Sequence, residues 1–168
     1  MNHPDPSFEL ANTYVLGFAF SNTVVAVLMI KKNRPAWQAT KLNGIGGKVE
    51  ENDWCHAEAM RREFKEETDI DTELTQWSMF SQHVKPGKFN GDMSSYQLSV
   101  FSTVLTAAQV AQLKQTTDEV PVWQGLHNGS LHDLLDKEHA VDGALMYIVT
   151  ALNHMDRPFI TMTIEKNS

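Results

Sequence analysis

One cysteine, Cys55, is all this chain has, so no internal disulfide can form and a reducing compartment is the expected setting. Nothing around Cys55 resembles a Cys/His/Asn nucleophile arrangement, and a small residue in the first turn of a helix is the simpler reading. Basic runs are missing too. With 14 Lys+Arg against 21 Asp+Glu the formal charge is −7, which argues against a nucleic acid polymer as partner, since that backbone is gripped by lysine and arginine. Apolar residues make up 42% of the chain, yet no run approaches the roughly 20 needed to cross a bilayer. The start, Met1-Asn2-His3-Pro4-Asp5-Pro6, lacks the basic and apolar stretches of a signal peptide. A cytoplasmic protein without a membrane partner is therefore expected. The seven histidines form neither a helical His-x3-His pair nor a His–Cys cluster, which excludes the usual zinc patterns. Repeats and low-complexity segments are absent, and 168 residues suit one domain over 1–168, as a monomer or homodimer.

What the chain does have is concentrated between Gly44 and Ile70. A glycine-rich bend, Gly44-Ile45-Gly46-Gly47-Lys48-Val49, runs into Arg62-Glu63-Phe64-Lys65-Glu66-Glu67-Thr68. At about 100° per residue Glu63 and Glu67 stand one above the other with Glu66 beside them, so three like charges crowd one stripe of a helix. The opposite stripe, Ala57, Met60 and Phe64, is apolar at helical spacing and holds the helix to a core. A fixed rack of carboxylates suits a hard divalent ion such as Mg2+, which keeps waters and so leaves room for substrate phosphates. Metal-assisted attack on a phosphate chain is the chemistry these residues point to.

This segment resembles the Nudix box, Gly-x5-Glu-x7-Arg-Glu-U-x-Glu-Glu-x-Gly-U, where U is a bulky aliphatic residue. Its second half is matched by Arg62 through Thr68, with Ile70 at the final position. Three departures stand out. One extra residue lies between Gly47 and Arg62, which puts the first glutamate of the pattern near Asp53, Glu50 and Glu51, and the loop is expected to absorb it. Asp69 replaces the last glycine, at a helix end that favours a left-handed backbone. Phe64 is larger than the usual aliphatic. The resemblance implies a Mg2+-dependent hydrolase, with Mn2+ as substitute. Glu63 and Glu67 would be metal ligands, Glu66 a further ligand or the residue orienting water, and the Gly46 carbonyl another donor. Arg62 either pairs with Glu66 or contacts phosphate, and Lys48 is a further substrate-binding candidate.

Along the rest of the chain, Thr13–Phe20 and Thr23–Ile30 read as a hairpin turning at Ser21-Asn22, followed by a polar loop and a short strand at Lys41–Asn43. Asp53 is placed to cap a helix from Trp54 to Thr68. Glu73–His83 and Tyr96–Leu105 read as an antiparallel pair joined through Pro86-Gly87 and Asn90-Gly91. Ala107–Gln115 is read as helix, Val120–Gln124 as strand, Ser130–Glu138 as a serine-capped helix, Val141–His154 as the last helix and Phe159–Ile164 as a β-like tail. The expected class is α+β, a mixed sheet packed between helices in an α/β/α sandwich, as the Nudix resemblance also implies.

Two further segments resemble oxidised-purine nucleotide hydrolases of that family. Asp118-Glu119-Val120-Pro121-Val122-Trp123 is similar to their Asp-Glu-x-Pro-x-Trp segment. Glu119 is accordingly the candidate for a fourth, loop-borne carboxylate and general base, with Asp118 as its substitute and a plain surface acid as the simpler alternative. Leu42-Asn43-Gly44-Ile45-Gly46-Gly47-Lys48-Val49 is similar to their Trp-Asn-Gly-Phe-Gly-Gly-Lys-Val, which makes Asn43 a base reader or a turn former. Trp37 and Trp123 either stack a base or pack core and lid, and Asp142 is a weaker base-pocket candidate. The favoured substrate is a small-molecule nucleotide, a purine nucleoside triphosphate, oxidised or not, cleaved to monophosphate and pyrophosphate. An ADP-ribose-type or ADP-sugar-type pyrophosphatase, suggested by the position of Pro86, and a non-catalytic nucleotide-binding module are the alternatives.

Overall fold

The first strand carries two apolar stripes, and the rest of the fold covers both. In the computed structural model, which describes residues 12–85 and 96–155, β1 (Thr13–Ser21) places Leu16, Phe18 and Phe20 in one core and Val15 and Ala19 in another. Every residue of β1 except Tyr14 is buried, as a strand covered on both faces requires. Around it the sheet runs β3 (Leu42–Asn43), β2 (Ala26–Lys31), β1, β6 (Tyr96–Leu105) and β5 (Ser78–Lys85), while β4 (Ile45–Lys48) pairs with β1 and β7 (Val120–Gly125) with β2. The β1–β6 pair is parallel and the others antiparallel, so the sheet is mixed. Pro121 sits in β7, which among the described residues pairs only with β2 and therefore tolerates a residue without an N–H.

Among the described residues there are four helices: α1 (His56–Thr68), α2 (Ala107–Val110), α3 (Asn128–Asp133) and α4 (Ala144–His154). The small-residue face of β1 receives α1. There Ala59, Met60 and Phe64 join Ile45, Trp77 and Phe101, and a Cβ on Gly17 would run into Met60 and Trp77 at 2.7–2.9 Å. Phe64 is fully buried with its ring edge-on to Trp77 at 5.1 Å. Its extra size over an aliphatic residue is thus filled contact, and burying such a ring stabilises the fold by about 1.5–3 kcal/mol. The other face of β1 meets Leu145, Ile148 and Leu152 of α4, with Leu131 and Leu134 beside them. The sheet lies between helices, which is the α+β sandwich expected from the sequence.

Several boundaries differ from the sequence reading for local reasons. The strand expected from Glu73 starts at Ser78, because Glu73 and Gln76 cap a 3-10 turn over Leu74–Gln76. The helix expected to reach Gln115 ends at Val110. Beyond it the Lys114 N–H donates to the Thr68 carbonyl at 2.9 Å and the Thr116 hydroxyl donates to the Glu66 carbonyl, which leads the chain past the end of α1. Ser130 does not cap α3: the cap residue is His127, and the Ser130 hydroxyl bonds its ring instead. The last helix starts at Ala144 rather than Val141, after Gly143 in a left-handed conformation (φ 91°) that L side chains rarely adopt. The turns at Pro86-Gly87 and Asn90-Gly91 and the tail Phe159–Ile164 lie outside the described residues. No helix among the described residues is long and apolar enough to cross a membrane.

Candidate active site

The frame of the site is a knot around Arg62. Asp53 was expected to cap the helix, but α1 begins at His56 and its cap residue, Cys55, makes no side-chain cap bond. Asp53 instead accepts the Glu50 N–H at 2.8 Å and a two-pronged contact from Arg62, whose Nε and Nη2 lie 3.0 and 2.8 Å from its carboxylate oxygens. This contact holds the Asp53 carboxyl below its ordinary range. The same guanidinium donates to the Lys48 carbonyl at 3.0 Å and to Glu63 Oε1 at 2.9 Å, and faces Glu66 at 3.4 Å. Of the two roles weighed for Arg62, the pairing with Glu66 is present, and contact with a phosphate would have to compete with Asp53. The residue added before Arg62 falls in the loop that this knot closes, and α1 runs unbroken over 13 residues. At its C-terminal end Asp69 takes the left-handed conformation (φ 60°) in the place of a glycine, with Lys65 at 3.0 Å and Lys114 at 3.3 Å on its carboxylate.

The acids themselves are unequal. Glu66 is exposed, whereas the Glu63 side chain is 14% exposed and bound to Arg62; burial pushes the Glu63 carboxyl up and Arg62 opposes the shift. Glu67 Oε2 is buried and has no hydrogen-bond partner among the described residues. Burial raises the Glu67 pKa to about 7, Lys32 pulls it down, and Glu119, Glu63 and Glu66 add to the rise. Glu119 is therefore gathered with the box acids. Its side chain is 7% exposed, Lys32 Nζ lies 2.7 Å from Oε2, and the Asn33 N–H donates to Oε1 at 3.4 Å. Asp118, its expected substitute, is 62% exposed and 3.7 Å from Arg34. No three His, Cys, Asp or Glu side chains among the described residues already form a metal cage. The donors still fit a hard divalent ion: all are carboxylate oxygens, and one is buried without a partner.

The two glycines before the loop are needed for different reasons. A Cβ on Gly46 would collide with the backbone of Val15, its register partner Leu16's neighbour across the β1–β4 pair. The close approach of the two strands is by itself a reason for a residue without a Cβ there. At Gly47 the collision would be with the Glu63 carboxylate. Gly46→Ala is expected to lower stability by about 2 kcal/mol or more. Gly47→Ala should leave the melting temperature near that of the wild type and displace Glu63, lowering divalent-ion affinity about 10–100-fold. Thermal melts and Mn2+ titrations of the two variants check the contrast, and equal behaviour of both would contradict it.

Other residues singled out from the sequence are spread more widely. In Asn43 the amide is engaged locally, donating to Gln38 at 3.1 Å and accepting the Gly44 N–H at 2.8 Å. Lys48 is exposed and offers its carbonyl to Arg62. Trp123 is half-buried against the core under α1, Trp37 stands exposed on the 3-10 turn Ala36–Gln38, and Asp142 is exposed and paired with Lys137 at 3.6 Å. Lys32 is the residue that sequence reasoning missed. It lay in a segment read as polar loop, although it continues the alternation of Leu28 and Ile30, both in the core under α1.

Comparison with known proteins agrees with this fold. The model of the NUDIX domain matches residues 13–146. No curated protein matches the chain in sequence. Among solved structures, a MutT/nudix family protein from Enterococcus faecalis has a TM-score of 0.67 at 16% identity, over 91% of this chain and 65% of its own. The NUDIX domain of Shewanella oneidensis NrtR, complexed with ADP ribose, gives 0.62 at 15% over 90% and 93%. A bifunctional NMN adenylyltransferase/ADP ribose pyrophosphatase from Francisella tularensis, complexed with AMP and a Mn ion, gives 0.63 at 18% over 90% and 43%. This chain spans just under two thirds of the Enterococcus protein and less than half of the Francisella one. The likeness to these structures is one of fold, and with a family model matched over most of its length the chain belongs to the Nudix family of hydrolases.

Proposed function

We propose that this protein hydrolyses a phosphoric anhydride bond of a small nucleotide with the help of a divalent ion, Mg2+ or Mn2+. The observation that carries the reading is Glu67 Oε2, buried with no hydrogen-bond partner among the described residues and acted on by the charges of Glu63, Glu66 and Glu119. A buried oxygen of this kind costs free energy unless something positive meets it. Glu63 and Glu67 would hold the ion, with Glu66 and the Gly46 carbonyl at its margin. When bound, the ion supplies charge neutralisation of the pyrophosphate and polarisation of its oxygens. Glu119 or a box glutamate accepts the proton of the attacking water, while Arg62 keeps Glu63 and the loop in place.

For the substrate we favour a purine nucleoside triphosphate, oxidised or not, released as monophosphate and pyrophosphate. The support is the Asn43 segment and the Glu119-to-Trp123 segment, of which Glu119 lies among the box acids. The ADP-ribose in the NrtR complex keeps an ADP-ribose-type pyrophosphatase as the second reading. A panel of purine and pyrimidine triphosphates, their oxidised forms and ADP-ribose, assayed with Mg2+ and with products identified, tests the choice: a higher kcat/KM for ADP-ribose than for every triphosphate would overturn it. Asn43→Ala is expected to change the ratio of kcat/KM between bases by about 1–3 kcal/mol while leaving Mg2+ dependence unchanged. An equal loss on every base would mean that Asn43 only shapes the turn through Gly44.

A further inference from the structure

Lys32 is the only cation bonded to Glu119 among the described residues, and it is nearly as enclosed as its partner. Their side chains are 15% and 7% exposed, the Nζ–Oε2 distance is 2.7 Å, and the neighbouring Asn33 N–H holds the second oxygen of Glu119. The pair joins two distant parts of the chain. Lys32 follows β2 directly, and Glu119 ends the segment that passes α1 through the Thr68 and Glu66 carbonyls before β7 begins. Both charges act on Glu67, whose Oε2 has no partner of its own. One ammonium therefore serves a site with more carboxylate than it can neutralise.

We infer that Lys32 is a positioning residue and resident counter-cation: it seats Glu119 beside the box helix in the absence of a metal, and a divalent ion held by Glu63 and Glu67 must bind against its charge. The inference rests on the reading of the box acids as a metal site. An enclosed carboxylate attracts whichever cation is nearest, and a tethered ammonium is always near. Bringing in a second, doubly charged cation then repels the first, so the two are held by the acid group at each other's expense. Removing the ammonium leaves the enclosed Glu119 without its cation while its charge still acts on Glu67. Loss of the ammonium should tighten divalent binding, the opposite of what removing a merely structural residue would do.

The test is Mn2+ binding followed by the electron paramagnetic resonance signal of free Mn2+, on wild type, Lys32→Met, Lys32→Gln and, as a control, the exposed Lys31→Met. Lys32→Gln keeps an amide that can still donate to Glu119, so it guards against loss of fold in Lys32→Met. Both Lys32 variants are expected to bind Mn2+ at least about fivefold more tightly, the lower end of typical coupling between sites, and Lys31→Met to match the wild type. Metal-free Lys32→Met should also melt lower, and adding Glu119→Gln should recover that loss, because the unpaired acid is then gone. Unchanged or weaker Mn2+ binding in both Lys32 variants would overturn this inference alone. A wild type that bound no Mn2+ would overturn the hydrolase reading as well.

Discussion

Glu67→Gln is expected to abolish divalent binding at the box and lower kcat by on the order of 10³-fold, with the fold intact. The amide keeps the size of the side chain but removes the negative charge that would hold Mg2+ beside the phosphates. The same variant has a second, independent signature. Glu67 has a pKa of about 7 in the fold against its ordinary 4.5, chiefly through burial. Because the folded value is the higher one, the group favours the fold below about pH 4.5, and that contribution is lost as the pH rises through 7. Gln does not titrate. Metal-free Glu67→Gln should therefore gain on the wild type between pH 5 and pH 8, by on the order of 2 kcal/mol. Adding Mg2+ should then stabilise the wild type and leave the variant unmoved. Melting curves at the two pH values, with and without Mg2+, give all four numbers, and parallel pH profiles would place Glu67 outside the buried acid group.

Glu119→Gln is expected to cost about 10²-fold in kcat with a smaller effect on KM, the scale of losing a general base. Asp118→Asn should change neither constant. The two acids are adjacent in sequence but unlike in setting, one enclosed beside Lys32 and gathered with Glu67, the other exposed beside Arg34. Steady-state kinetics on both variants separates them. Near-native kcat in Glu119→Gln would leave proton transfer to the box helix alone.

The box helix was legible because its signals are local: a run of apolar and acidic residues at helical spacing needs no knowledge of the rest of the chain. The same holds for β1, expected over Thr13–Phe20 and found over Thr13–Ser21, and for β6, found over the span expected, Tyr96–Leu105. Misreadings came where a side chain had a better partner than the helix end. Asp53 has the composition of a helix cap, yet Arg62 offers it two hydrogen bonds from nine residues on. Ser130 likewise looked like a cap and bonded His127. In the site, Lys32 and Glu119 are 87 residues apart, and no local pattern announces their contact. The need for Gly46 also depends on a distant strand, since its crowding comes from the Val15 backbone.

The central claim is that the acids of α1, with Glu119, act through a divalent ion to break a phosphoric anhydride. Its most direct measurement is turnover of a purine nucleoside triphosphate across a Mg2+ titration, against an EDTA control, with products resolved by ion-exchange chromatography. The account predicts monophosphate and pyrophosphate in equal amounts, a rate that saturates with Mg2+, and none in EDTA. Turnover that persisted in EDTA would contradict it, and diphosphate with inorganic phosphate would contradict the release of pyrophosphate.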